Sequence, residues 1–90
     1  MRSRKSEDLF LDFWVVRVRE FRVKIGFSQE ILAEKLHVNV RNYQKLERGV
    51  HRPSAITLLL FLNLLPDQEI LAFVRTSGKL AKAGQSEEVA

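Results

Sequence analysis

The chain has 90 residues, 46% of them hydrophobic and 29% charged, with a formal net charge of +4 at neutral pH. That is enough for one small core of five helices and too little for a second folded unit. With no cysteine there is neither a disulfide framework nor a thiolate metal site, and the two histidines, His37 and His51, are far apart in sequence and have no cluster of carboxylate partners at ligand spacing, so no metal or other cofactor is expected.

Residues 1–8 are polar and basic and read as a flexible tail. The basic start, Met1 to Lys5, runs into Ser6, Glu7 and Asp8 and then into an apolar segment broken by Asp12 and several arginines, which is not a signal peptide; a cytoplasmic chain is expected. Leu9 to Ile25 reads as one extended first helix, with Ser6 available to cap it. Leu9, Phe10, Phe13, Trp14, Val18, Phe21 and Ile25 recur at helical spacing. Leu11, Val15, Val16 and Val23 widen that stripe beyond one core face, so this helix should pack on more than one neighbour, first of all the C-terminal helix.

Ser28 to Arg48 parses as two short amphipathic helices joined by a tight turn at Leu36–Asn39. Ser28 and Asn39 are the N-caps, Leu32, Ala33, Leu36, Tyr43 and Leu46 face inward, and Val38 plugs the turn. At 3.6 residues per turn, Asn39, Val40, Arg41, Gln44, Lys45 and Arg48 are left on or near the outward face. Two helices in this order are the pattern of a helix-turn-helix, which sets its second helix into the DNA major groove.

Pro53 stops the third helix and Ser54 starts a fourth, whose stretch Ile56 to Leu65 is polar only at Thr57 and Asn63. It is too short to span a bilayer and reads as a buried helix. Pro66 opens a fifth helix carrying Ile70, Leu71, Phe73 and Val74 to about Arg75, and residues 76–90 read as a second flexible tail. The four glycines, at 26, 49, 78 and 84, form no phosphate loop, and there is no catalytic Ser/His/Asp set and no paired carboxylates in an apolar pocket setting, so an enzyme is not expected.

Ser28 to Arg48, followed by Gly49 and by Arg52-Pro53-Ser54, resembles the lambda-repressor-like, XRE-type (Cro-type) helix-turn-helix family of phage and bacterial DNA-binding domains, over roughly Val18 to Leu65. The resemblance implies an all-α, five-helix domain at 9–75 with the helix-turn-helix proper at 28–48, acting in the cytoplasm on the nucleoid. Arg22 and Glu47 match a pair that in this family forms an internal ion pair. His37 departs from the family, which has Gly at that turn position; a positive φ there costs His more than Gly.

The function implied is that of a sequence-specific regulator of double-stranded DNA, a repressor that binds a palindromic operator as a homodimer through the apolar surfaces of helices one, four and five. Arg41 and Lys45 suit guanine, Gln44 and Asn39 suit adenine, and Val40 suits a thymine methyl. By the resemblance Gln29 binds a phosphate, and Arg48, Arg52, Ser28, Asn42 and Arg19 are further backbone contacts. The basic tail is a candidate minor-groove arm. Two alternatives stay open. One is the antitoxin of a toxin-antitoxin pair, which the passage Pro53 to Arg75 resembles and which adds a toxin protein as partner; the other is the controller of a restriction-modification system.

Overall fold

The computed structural model describes the backbone of residues 6–89 and the side chains of residues 8–82. In chain order the elements are α1 (Ser6–Ile25), α2 (Gln29–Lys35), α3 (Val40–Glu47), α4 (Ala55–Leu62) and α5 (Asp67–Val89), with no strand among the described residues. The all-α, five-helix architecture expected from the sequence is the observed one. Of the tail at 1–8, the candidate minor-groove arm, residues 1–5 lie outside the described residues, as does the side chain of Ser6, while residues 6–8 are the first turn of α1 and not a flexible tail.

Both outer helices are longer than the sequence reading. α1 starts at Ser6 rather than Leu9, an acidic stretch that suits the positive end of the helix dipole. α5 does not end near Arg75 but runs on to Val89, so the helix covers what reads as a tail. A single interior glycine, Gly78, costs only about 1 kcal/mol against alanine, and Lys79, Leu80, Ala81 and Lys82 are all good helix formers. Ser77 donates from its hydroxyl to the Phe73 carbonyl at 2.7 Å, and Leu80 is half-buried.

Three helices end in the same way. At Gly26, His37 and Gly49 the chain turns to positive φ (84°, 59° and 78°). The residue after each turn donates to the carbonyl five positions back: Phe27 to Arg22 at 3.0 Å, Val38 to Ala33 at 3.0 Å and Val50 to Lys45 at 2.9 Å. These are Schellman motifs, which satisfy the carbonyls that the last helical turn leaves without partners. The three N-caps are equally regular: Ser28, Asn39 and Ser54 each accept from a backbone N–H three residues on, at 3.1, 2.8 and 3.1 Å. Pro66 does the same for α5 with its backbone carbonyl, which takes the N–H groups of Glu69 and Ile70.

The core draws on every helix: Trp14 and Val18 from α1, Leu32, Ala33 and Leu36 from α2 and its C-cap, Tyr43 and Leu46 from α3, Phe61 from α4 and Phe73 from α5. Phe61 is its centre, with ring centroids 5.1 Å from Trp14, 5.5 Å from Phe21 and 5.9 Å from Phe73. α1 packs along α5, the neighbour expected for it, where Phe13 and Phe73 stand 4.9 Å apart, while Val16 and Val23 of its wide stripe stay exposed. α4 is less buried than its composition suggests. Only Thr57 and Phe61 are buried, while Ile56 and Leu59 stand 67% and 55% exposed, because one short helix on a small domain turns only one stripe inward.

Candidate nucleic-acid interface

α2 and α3 are joined by the turn Leu36–Asn39, with Val38 half-buried beneath it. Leu32, Ala33 and Leu36 from one helix and Tyr43 and Leu46 from the next are buried together, which settles the rotation of α3 about its axis. Arg41, Asn42, Gln44 and Arg48 consequently stand exposed, as do Asn39 before the helix and Arg52 after it. Val40 and Lys45 lie at the margin: both are half-buried, and Val40 packs against the core. The Oδ1 atom of Asn39 caps α3, which leaves its NH2 group as the donor for any outside partner. Ser28 is exposed, with its hydroxyl oxygen engaged in capping α2.

Behind this surface lies a buried carboxylate. Glu47 is 4% exposed, yet each of its oxygens is occupied. Arg22 from α1 makes two parallel hydrogen bonds to it, Nε to Oε2 at 2.8 Å and Nη2 to Oε1 at 2.9 Å, and the Tyr43 hydroxyl donates to Oε2. Arg22 also donates from Nη1 to the Phe27 carbonyl at 3.2 Å, which ties the α1–α2 connection into the same cluster. Arg19 adds a second cation, its Nε 3.7 Å from Oε1, on a side chain that is otherwise largely exposed. Gln29, half-buried at the start of α2, donates to Oε1 at 3.4 Å, and its own oxygen accepts from Gln44 at 3.1 Å.

This arrangement decides the protonation states. Burial pushes the Glu47 carboxyl up, but hydrogen bonds from Arg22 and Tyr43, the Arg22 charge and the Gln29 amide outweigh it and hold the group below its ordinary value. Burial, then the hydrogen bond to Glu47, raises the Tyr43 hydroxyl well above its ordinary value. The hydrogen bond to Glu47 likewise raises Arg22.

The Arg22–Glu47 pair implied by the resemblance is therefore present, with bidentate geometry. Three partners of Glu47 escaped the sequence reading: Arg19, which it places only on a phosphate, Tyr43 and Gln29. Tyr43 stands four residues before it on the same helix, a spacing that brings side chains together and signals the contact. Gln29 lies on another helix, and no local pattern reveals its link to Glu47 and Gln44.

Two short helices crossing over a shared core, the second with a solvent-facing polar edge, define a helix-turn-helix domain. The helix-turn-helix family matches residues 18–66, more than half of the 90, and the chain belongs to that family, in its Cro/C1-type form. It is also similar to a protein of Archaeoglobus fulgidus named an uncharacterized HTH-type transcriptional regulator, 47% identical over 38 residues, which span 42% of this chain and 54% of that relative. The chain thus covers about half the length of the curated relative it matches. No solved structure matches it.

Proposed function

We propose that this chain is a DNA-binding transcriptional regulator that lays α3 in the major groove of a duplex. The observation that carries this reading is the division of α3 between a buried face of Tyr43, Leu46 and Glu47 and an exposed edge of Arg41, Asn42, Gln44 and Arg48. Arg41 and Lys45 donate to guanine O6 and N7, Gln44 pairs with adenine, Asn39 donates from its NH2 group, and the uncovered part of Val40 meets a thymine methyl. Arg48, Arg52, Asn42, Ser28, Arg19 and the second N–H of Gln29 hold phosphates and fix register. The A. fulgidus relative, by its name, supports the regulatory role.

One such domain reads only a few base pairs, so the reading extends to a homodimer on a near-palindromic operator, with half-sites about 34 Å apart, acting as a repressor. Apolar side chains left exposed on α1 (Val16, Val23), α4 (Ile56, Leu59) and α5 (Leu71, Val74) support a self-association surface. A groove of about 810 Å³ beside α1 and α5, lined by Phe13, Phe21, Leu64 and Leu65 together with the charged Arg17 and Glu69, favours the antitoxin as a second reading, since it offers a protein partner a part-apolar site away from α3.

Selection from a random duplex pool tests the first reading. A two-fold consensus enriched by the wild-type chain, with affinity falling steeply as salt rises, is the expected result. Absence of any enriched sequence defeats it.

A further inference from the structure

Glu47 has lone pairs left after Arg22 and Tyr43 have bound, and one of them faces Gln29. An ionised carboxylate only accepts hydrogen bonds. Gln29 must therefore turn its NH2 end toward Glu47, as it does at 3.4 Å, and its carbonyl oxygen away. That oxygen faces Gln44, which in turn must offer N–H, as it does at 3.1 Å. An exposed glutamine amide otherwise rotates between two nearly isosteric orientations that present opposite patterns of donor and acceptor. Here the choice is made at a buried charge two residues back along the chain of hydrogen bonds.

We infer that Glu47 is a positioning residue for base reading, beyond its part in the ion pair. Its negative charge, relayed through Gln29, holds one N–H of Gln44 inward and leaves Oε1 and the second N–H outward as a fixed acceptor–donor pair. Adenine presents the complementary pair, N6–H2 and N7, in the major groove, whereas guanine presents two acceptors. Glu47 thereby selects adenine at the base pair that Gln44 meets. This inference rests on the DNA-binding reading above.

The test is selection from a random duplex pool, with four chains side by side: wild type, Gln44→Ala, Gln29→Met and the double variant Arg22→Met/Glu47→Met. Removing both partners of the buried pair avoids stranding a charge, and circular dichroism checks that each variant is folded. Gln44→Ala identifies the base pair concerned by losing about tenfold of its adenine preference. The relay predicts that Gln29→Met and the double variant lose preference at that same base pair and keep it elsewhere. Should the double variant not fold, wild-type preference kept by Gln29→Met still overturns the relay, since that variant leaves the Arg22–Glu47 pair intact. Wild-type preference retained there by the folded variants, with affinity reduced equally on all sequences, overturns the relay and makes Gln29 a phosphate contact only. A wild-type chain that enriches no sequence overturns the DNA-binding reading and the relay together.

Discussion

Arg22 and Glu47, twenty-five positions apart, meet through two parallel hydrogen bonds that join the end of α1 to the end of α3. Because the carboxylate is buried, the two partners are not equivalent to a surface pair. Arg22→Met leaves an ionised Glu47 with the Tyr43 and Gln29 hydrogen bonds and only the more distant, largely exposed Arg19 as its cation, and should cost up to about 3–5 kcal/mol. In a domain this small that lowers the melting temperature by roughly 4–8 °C for each kcal/mol. Replacing both residues by methionine should restore most of the loss. Thermal unfolding followed by circular dichroism makes the comparison; a single variant as stable as wild type would show that the pair contributes nothing.

The same cluster makes stability depend on pH at both ends of the scale. Glu47 titrates below its ordinary 4.5 when folded, so its contribution is complete above that value and is lost as pH falls through the folded one. Tyr43 titrates above its ordinary 10.0 when folded, so its contribution is complete below that value and is lost as pH rises beyond it. Melting temperature against pH should thus be level in between and fall on either side. Tyr43→Phe should flatten the alkaline fall, and Glu47→Gln, though less stable throughout, the acid one. Profiles of the variants parallel to wild type would assign the pH dependence to other groups.

His37 and Gly49 occupy equivalent places in successive helix ends, at φ 59° and 78°, and should respond oppositely to substitution. Left-handed backbone costs an L-residue about 1–2 kcal/mol, so His37→Gly removes strain from the turn of the helix-turn-helix. A rise in melting temperature of several degrees is expected. Gly49→Ala introduces that strain and also drives a Cβ to within 3.1 Å of the Val15 side chain, so it should lower stability and loosen α1 from the α3–α4 loop. Denaturant unfolding of both variants checks the two signs at once.

The inward and outward faces of residues 28–48 were legible because two kinds of local signal agree there. Side-chain oxygens at Ser28 and Asn39 mark where each helix begins, and the spacing of Leu32, Leu36, Tyr43 and Leu46 marks how each is rotated. α4 lacked the second signal. In Ala55–Leu62 nearly every residue is apolar, so periodicity cannot choose a face, and the structure buries the polar Thr57 while exposing Ile56 and Leu59. The far ends of α1 and α5 carry no stop signal that composition distinguishes from a tail. Gln29 joins Gln44 and Glu47 across fifteen and eighteen positions, and such a link exists only once the helices have packed.

Arg41 and Arg48 stand at opposite ends of α3, both exposed, and the DNA-binding reading gives them different work. Arg41, in the first turn, is placed for the edge of a base; a bidentate contact to guanine discriminates by about 1–3 kcal/mol. Arg41→Ala should therefore lose affinity for the selected site and little for duplexes already altered at its base pair. Arg48, the C-cap, is placed for the sugar-phosphate backbone. Arg48→Ala should weaken binding on every sequence alike and reduce the slope of log affinity against log salt by about 1. Fluorescence anisotropy titrations at several salt concentrations, on the selected duplex and on single-substitution duplexes, separate the two effects. If both variants lost affinity uniformly, with the same change in salt slope, Arg41 would be a phosphate contact and base reading would fall to Gln44 and its neighbours.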